Sequence, residues 1–332
     1  MSLVESALSG DRLSLTRLLT QVENDTPEGR LALAALFPRT GQAHLIGVTG
    51  APGTGKSSLV NRLALHFRAQ GKRVAVVAVD PSSPFTGGAV LGDRVRMRDL
   101  AGDPGVFIRS MASRGSLGGL AQSTAGLVQV FDATGFEVIM IETVGAGQSE
   151  VDIARLAHTT LVVEAPGMGD DIQAIKAGIL EIADILAVNK ADRPGVENTL
   201  RALRSALELA HPVQHVFRHH GKLEVVEAPA APVYNSWIPP IQKTVATTGE
   251  GVPELAAEIA RHAEHLRQSG DWAVREQSRL GSELEALLQQ ELLSRFREQV
   301  TESRYQEVLE QVFQRSLAPW EAVEILLNGR LK

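Results

Sequence analysis

The segment Gly50-Ala51-Pro52-Gly53-Thr54-Gly55-Lys56-Ser57 constrains the fold more than any other stretch, because it fits the phosphate-loop pattern G-x-x-x-x-G-K-[ST]. Such a loop needs a strand before it and a helix after it. His44 to Thr49 reads as a short buried strand, and Ser58-Leu59-Val60 opens a run of helical spacing that lasts to about Gln70. The glycines let the backbone wrap a phosphate chain, and the helix brings its positive end to the same anion. Lys56 is predicted to reach the β and γ phosphates, and Ser57 to ligate Mg2+. Gly50, Gly53, Thr54, Gly55 and Ser58 complete the predicted phosphate contacts.

Further strands follow. Arg73 to Asp80 is continuously apolar between its two charged ends, as suits a central parallel strand covered on both faces. Ligands gather at the carboxyl ends of such strands, which makes Asp80 a candidate metal ligand. Asp93, the next carboxylate downstream, reads either as a second metal ligand or as a turn residue. Gly105 to Arg109 is a short strand candidate, Ser110 to Leu120 a glycine-rich loop, and Ala121 to Ala133 a helix. Phe136 to Gly145 is an apolar strand ending in an acid with a glycine three residues on. Glu142 can hold Mg2+ or its water there, and the Gly145 N–H can meet the γ phosphate. Gln148 either orients the attacking water or lies on the surface. Lys56, Glu142 and Gln148 are therefore the catalytic candidates.

The base is indicated by Asn189-Lys190-Ala191-Asp192, an N-K-x-D pattern delivered by the strand Ala183 to Val188. A carboxylate at Asp192 accepts from both N1–H and the exocyclic N2–H of guanine, and adenine offers no such donor pair. The expected ligands are GTP and GDP. Lys243 to Gly251 is expected to be a strand and loop whose Ala246 N–H contacts guanine O6. Between these motifs, His211, His215, His219 and His220 cluster in sequence. His211 and His215 have the i, i+4 spacing of a zinc or nickel pair on a helix, but Pro212 and the lack of cysteine favour a solvated loop.

These elements predict an α/β, three-layer P-loop NTPase with a mainly parallel sheet, flanked by N-terminal helices and a C-terminal helical arm. The expected division is 1–40 as the helical extension, 41–268 as the nucleotide domain and 269–332 as the arm. In the extension, Leu15, Leu18, Leu19 and Val22 fall on one helical face. In the arm, Leu280, Leu284, Leu287 and Leu288 sit at heptad-like positions amid Glu, Gln and Arg, for packing on a partner subunit or back on its own domain. A formal net charge of −6 provides no basic field for nucleic acid or an anionic membrane. No apolar run approaches the roughly 20 residues of a membrane span. Residues Met1 to Asp11 lack a signal pattern, so a cytoplasmic location is expected.

In order, Gly50 to Ser57, Asp80-Pro81-Ser82-Ser83, Gly92 to Met97, Glu142 to Glu150, Gly167-Met168-Gly169-Asp170-Asp171 and Asn189 to Asp192 closely resemble the MeaB/ArgK-type GTPases. The resemblance implies a homodimeric G-protein chaperone for an adenosylcobalamin-dependent acyl-CoA mutase, typically methylmalonyl-CoA mutase. It also implies metal roles for Asp80, Asp93 and Glu142 with Ser57, and an additional switch at Gly167 to Lys176 in which Asp170, Gln173 and Lys176 communicate the nucleotide state. Val245 departs from the Ser usual in G proteins before the guanine-contacting Ala. Two other readings compete: a kinase linked to basic amino-acid transport, which needs an acceptor site and a base, and a nickel-type metal-insertion GTPase, which the absence of cysteine disfavours.

Overall fold

The computed structural model describes residues 2–81, 97–100, 102–113, 119–143, 149–167, 180–210, 215–219, 222–226 and 237–328. The chain forms two compact units, Met1–Arg279 and Leu280–Lys332.

The larger unit is built on a seven-stranded sheet. Its strands are β1 (His44–Thr49), β2 (Val74–Pro81), β3 (Val106–Ser113), β4 (Val138–Thr143), β5 (Thr159–Glu164), β6 (Ile185–Val188) and, last in the chain, β9 (Ile241–Lys243). All pairings are parallel, in the order β3-β2-β4-β1-β5-β6-β9. Parallel strands need covering on both faces, and the side-chain period of two sends alternate residues into separate cores. On one face Leu45, Ala75, Val77, Ile139 and Ile141 pack with α2 (Arg12–Glu23), α3 (Pro27–Leu36), α5 (Gly119–Ala133) and α6 (Ser149–Leu156). On the other, Ile46, Val48, Val74, Val76 and Met140 pack with α4 (Lys56–Ala69) and α8 (Val252–Ser269). Farther along the sheet Val162, Leu186 and Val188 pack with Leu200, Leu203 and Leu207 of α7 (Val196–Ala210).

The N-terminal helices share the first core. Leu15, Leu18, Leu19 and Val22 are all buried in it, with α1 (Leu3–Leu8) preceding them. Asp11 and Thr26 cap α2 and α3 by accepting from the Ser14 and Gly29 N–H groups. The entry to β1 is fixed by Asp132 of α5, whose carboxylate accepts from the N–H groups of Gly41 (2.5 Å), Gln42 (3.2 Å) and Ala43 (3.0 Å).

Three expectations need correction. Strand β3 runs four residues past Arg109: Ser110 to Ser113 pair with Ala78 to Pro81 because β2 offers a continuous free edge there. The described parts of 211–240 include an antiparallel hairpin, β7 (His215–His219) with β8 (Lys222–Val226), where a solvated loop is the expectation. His215 and His219 are thus four residues apart on a strand, about 13 Å, too far to share one ion; His211 and His220 lie outside the described residues. The strand expected from Lys243 onward instead ends at Lys243, and Thr244 to Gly251 form the following turn.

At the amino ends of the strands lies a buried polar network. Asp184, just before β6, accepts from Arg275 Nη1 (2.7 Å) and Nη2 (2.8 Å) and from the Thr160 N–H (2.8 Å). Arg275 belongs to the first turns of α9 (Asp271–Gln299) and also donates to the His158 carbonyl (2.7 Å). His158 Nδ1 accepts from the Leu45 N–H (3.1 Å), so its proton is on Nε2, which donates to Glu276 (3.1 Å). Trp272 stacks on the same imidazole at 3.9 Å. The Thr159 hydroxyl lies between His44 Nε2 (2.7 Å) and His262 Nδ1 (2.9 Å).

The smaller unit comprises the rest of α9, then α10 (Glu302–Phe313) and α11 (Pro319–Asn328). Its core is small: Val308, Leu317, Ala322 and Ile325 with Val312 and Leu326 against them. Leu284, Leu287, Leu288, Leu292 and Leu293 of α9 are exposed. No helix among the described residues is long and apolar enough to cross a membrane.

The polar network makes stability fall with acid. Burial holds His158 below its ordinary value despite the opposing pull of Glu276, and burial followed by the charge of His158 holds His44 well below. For Asp184 burial acts upward but Arg275 and His262 outweigh it, and for Glu276 His158 and Arg279 do the same; both carboxylates are brought to about 2. Below the ordinary histidine value of 6.5 the unfolded chain therefore takes up protons that the folded chain refuses. A second loss follows as pH falls from the ordinary carboxylate range toward about 2. The expected result is a melting temperature that declines steadily from about pH 7 to about pH 4. A flat or rising melting curve over that interval, followed by circular dichroism, would contradict the assignment.

Candidate guanine-nucleotide site

Because every strand of the sheet is parallel, the loops that follow β1, β2, β4, β5 and β6 all leave from one edge. The first is the phosphate loop. Gly50 has φ 135° and a Cβ there would lie 2.1 Å from the Val163 carbonyl oxygen, so β5 leaves room only for glycine. Gly55, at φ 93°, is the N-cap of α4 and lies against Asn189, whose Nδ2 a Cβ would approach to 2.5 Å. No side chain caps this helix, so the first-turn N–H groups of Lys56, Ser57 and Ser58 face the loop. Lys56 is buried, with Nζ donating to the carbonyls of Gly50 (2.8 Å) and Ala51 (3.0 Å). Thr54 Oγ1 donates to the Ala51 carbonyl at 3.0 Å.

Next to it is the end of β4. Glu142 is buried in register with Val48 of β1 and Ala78 of β2, and its Oε1 accepts from Ser57 Oγ at 2.6 Å. A hydroxyl and a carboxylate oxygen in contact beside a phosphate loop form the kind of hard donor set that Mg2+ takes. Asp80 lies one position beyond the Val79–Thr143 pair, at the end of the adjoining strand.

The base loops join the phosphate loop through Asn189. Its Nδ2 donates to the Thr54 carbonyl (2.8 Å), while its Oδ1 accepts from the Ala246 N–H (3.1 Å) and the Thr244 hydroxyl (3.3 Å). Lys190, in the left-handed region at φ 56°, donates from Nζ to the Gly53 carbonyl at 2.6 Å. The Ala191 N–H donates to the Thr244 carbonyl (3.1 Å), interlocking the two base loops, and Asp192 is exposed beside them. Gly251, at φ 74°, closes the second loop, where a Cβ would lie 1.9 Å from the Lys243 carbonyl oxygen.

Gly50, Gly53, Thr54, Gly55, Lys56, Ser57, Ser58, Glu142, Asn189, Lys190, Asp192 and Ala246 thus gather at one edge of the sheet. Asp93, Gly145, Gln148, Asp170, Gln173 and Lys176 lie outside the described residues. Two contributors escape sequence reasoning: Thr244, which supports Asn189, and Arg62 of α4, which donates to the carbonyls of Ala246 (2.9 Å) and Thr247 (2.7 Å). Neither belongs to a recognisable motif.

A phosphate loop braced onto an N-K-x-D loop at the carboxyl edge of a parallel sheet defines a P-loop GTPase. The chain belongs to the family described as "Methylmalonyl Co-A mutase-associated GTPase MeaB", which matches residues 15–301. A GTPase of Pyrococcus horikoshii is 43% identical over 326 residues, covering 98% of this chain and 96% of the relative. The "GTPase ArgK" of Escherichia coli is 36% identical over 265 residues, covering 79% and 75%. Among solved structures, "LAO/AO transport system kinase" superposes with a TM-score of 0.68 at 26% identity, covering 98% of this chain and 95% of that one.

Replacing Asn189 with Ala leaves the buried Ala246 N–H without its acceptor and detaches the Thr54 carbonyl. The expected cost is about 2 kcal/mol of stability, or roughly 3 °C in the melting temperature. Nucleotide affinity should fall with it, read by calorimetric titration with GDP. An unchanged affinity would remove Asn189 from the site.

Proposed function

We propose that this GTPase acts as a nucleotide-dependent switch that gates adenosylcobalamin delivery to a cobalamin-dependent acyl-CoA mutase, methylmalonyl-CoA mutase in the first instance, and protects that mutase. The observation that carries the reading is the Asn189 brace, which joins a phosphate loop to a base loop whose Asp192 suits guanine. The family's description, mutase-associated, supports the choice of partner.

In this reading Lys56 and the first-turn N–H groups of α4 bind the phosphates. Ser57 and Glu142 hold Mg2+, with Asp80 and Asp93 completing its surroundings; when bound, the ion neutralises charge developing on the transferred phosphoryl group. The Gly145 N–H contacts the γ phosphate, and Gln148 orients the attacking water. Asp192 reads N1–H and N2–H of guanine, and Ala246 reads O6. Asp170, Gln173 and Lys176 carry the nucleotide state to the mutase. Hydrolysis by the chain alone is slow in this reading, and the partner accelerates it by ordering the switch.

The arm, 269–332, is the dimerisation element of a cytoplasmic homodimer, with 41–268 as the GTPase domain and 1–40 its helical extension. Its support is the row Leu284, Leu287, Leu288 and Leu292, exposed on α9 at helical spacing. Truncation after Arg279, which keeps the buried partners of Asp184 and His158, is expected to give a monomer in sedimentation, and a truncated dimer would refute the assignment.

The mutase reading is tested by GTP turnover with and without purified methylmalonyl-CoA mutase and adenosylcobalamin. Acceleration by the mutase is expected, and equal rates would reject the partner. Lys56→Ala should abolish turnover, while Asp192→Asn should lower GTP-over-ATP preference by about tenfold or more. If Asp192→Asn keeps the preference, the base assignment fails. Phosphate transfer from labelled ATP to a protein acceptor, without GTP turnover, would favour a kinase instead.

A further inference from the structure

The helix that starts at the phosphate loop also grips the base loop. Arg62 lies five residues beyond Ser57 on α4 and is half-buried. Its Nε donates to the Ala246 carbonyl at 2.9 Å and its Nη2 to the Thr247 carbonyl at 2.7 Å. The loop is otherwise closed on itself, by the Val245 N–H to the Glu250 carbonyl (2.9 Å) and the Gly249 N–H to the Val245 carbonyl (2.8 Å). Those bonds do not use the Ala246 or Thr247 carbonyls. Both polar groups of the Ala246 backbone are therefore held from outside the loop: the N–H by Asn189, the carbonyl by Arg62.

We propose that Arg62 is a positioning residue for base recognition: its guanidinium fixes two consecutive peptide groups so that the Ala246 N–H faces guanine O6. The inference rests on the assignment of guanine to this site. The Ala246 N–H is then shared between Asn189 Oδ1 and O6 in a three-centre bond, a kind that proteins use often. Arginine suits the task because Nε and Nη2 address the two carbonyls from fixed positions on one planar fork, whereas a lysine ammonium is a point charge on a flexible stem that sets no such spacing. Charge assistance strengthens both bonds. Since the same rigid helix carries Lys56 and Ser57, Arg62 also sets the separation between the phosphate and base halves of the site.

The test compares ligands that differ at single positions of the base. The full chain is titrated calorimetrically with GDP, with 6-thio-GDP, in which a poorer acceptor replaces O6, with IDP, which lacks the N2 amino group, and with inorganic pyrophosphate. For the wild-type chain GDP should bind more tightly than either analogue. Arg62→Gln should weaken GDP by roughly tenfold and bring the GDP to 6-thio-GDP ratio close to one. The GDP to IDP ratio and the pyrophosphate affinity should stay unchanged, because Asp192 and the phosphate loop are intact. Arg62→Lys should fall between, and it carries the test if the glutamine variant does not fold.

An unaltered GDP to 6-thio-GDP ratio in both variants overturns the inference. So does an equal loss of GDP and pyrophosphate, which would show general damage, or a wild-type chain indifferent to the sulfur. A wild-type chain that binds ADP as tightly as GDP overturns the guanine assignment itself, and is distinguishable because it needs no Arg62 variant.

Discussion

The site depends on the amide of one buried side chain. Asn189 has a donor and an acceptor on a single plane, and each is spent on a different loop: Nδ2 on the Thr54 carbonyl, Oδ1 on the Ala246 N–H. A carboxylate in place of Asn189 would repel the Thr54 carbonyl, and an aliphatic side chain would leave the buried Ala246 N–H orphaned. The tight approach of Gly55 to this amide follows from the same requirement, since any Cβ there would displace it.

The two edges of the sheet solve the problem of buried polarity differently. At the amino edge, side chains compensate one another: Asp184 with Arg275, His158 with Glu276, Thr159 between two imidazoles. That network pairs its polar groups with one another and anchors the first turns of α9. At the carboxyl edge, the polar groups of the phosphate loop are backbone N–H groups of an uncapped helix start, which an anion can satisfy. Ligand chemistry therefore belongs to one edge, although charged residues occur at both.

Much of this could be read in the chain. The phosphate loop, the apolar runs of β1, β2 and β5, and the N-K-x-D tetrapeptide are local patterns, and local patterns survive folding. What escaped was decided by neighbours. Ser110-Met111-Ala112-Ser113 has no strong strand character, yet it extends β3 because β2 lies alongside. The hairpin at β7 and β8 lacks a strict polar–apolar alternation, and its histidines and arginine resemble a solvated loop in composition. Arg62 and Thr244 act by touching backbone or amide groups distant in sequence, which no spacing records. The amino-edge network draws on His44, His158, Asp184, His262 and Arg275, which only the parallel topology brings together.

The valine that replaces the usual serine in the second base loop becomes intelligible once these contacts are known. Val245 is buried, and both its backbone groups are already committed within the turn, to Glu250 and Gly249. A serine hydroxyl there would be buried and need a partner of its own, at a cost of about 1–3 kcal/mol if none were found. Asn189 Oδ1, the acceptor beside it, already takes a hydroxyl from Thr244 one residue earlier as well as the Ala246 N–H. The loop thus keeps polar support for Asn189 at Thr244 and uses Val245 for packing. Backbone geometry rather than the identity of that side chain then places Ala246, so the groups that grip the backbone of this loop, Asn189 and Arg62, set where its N–H points.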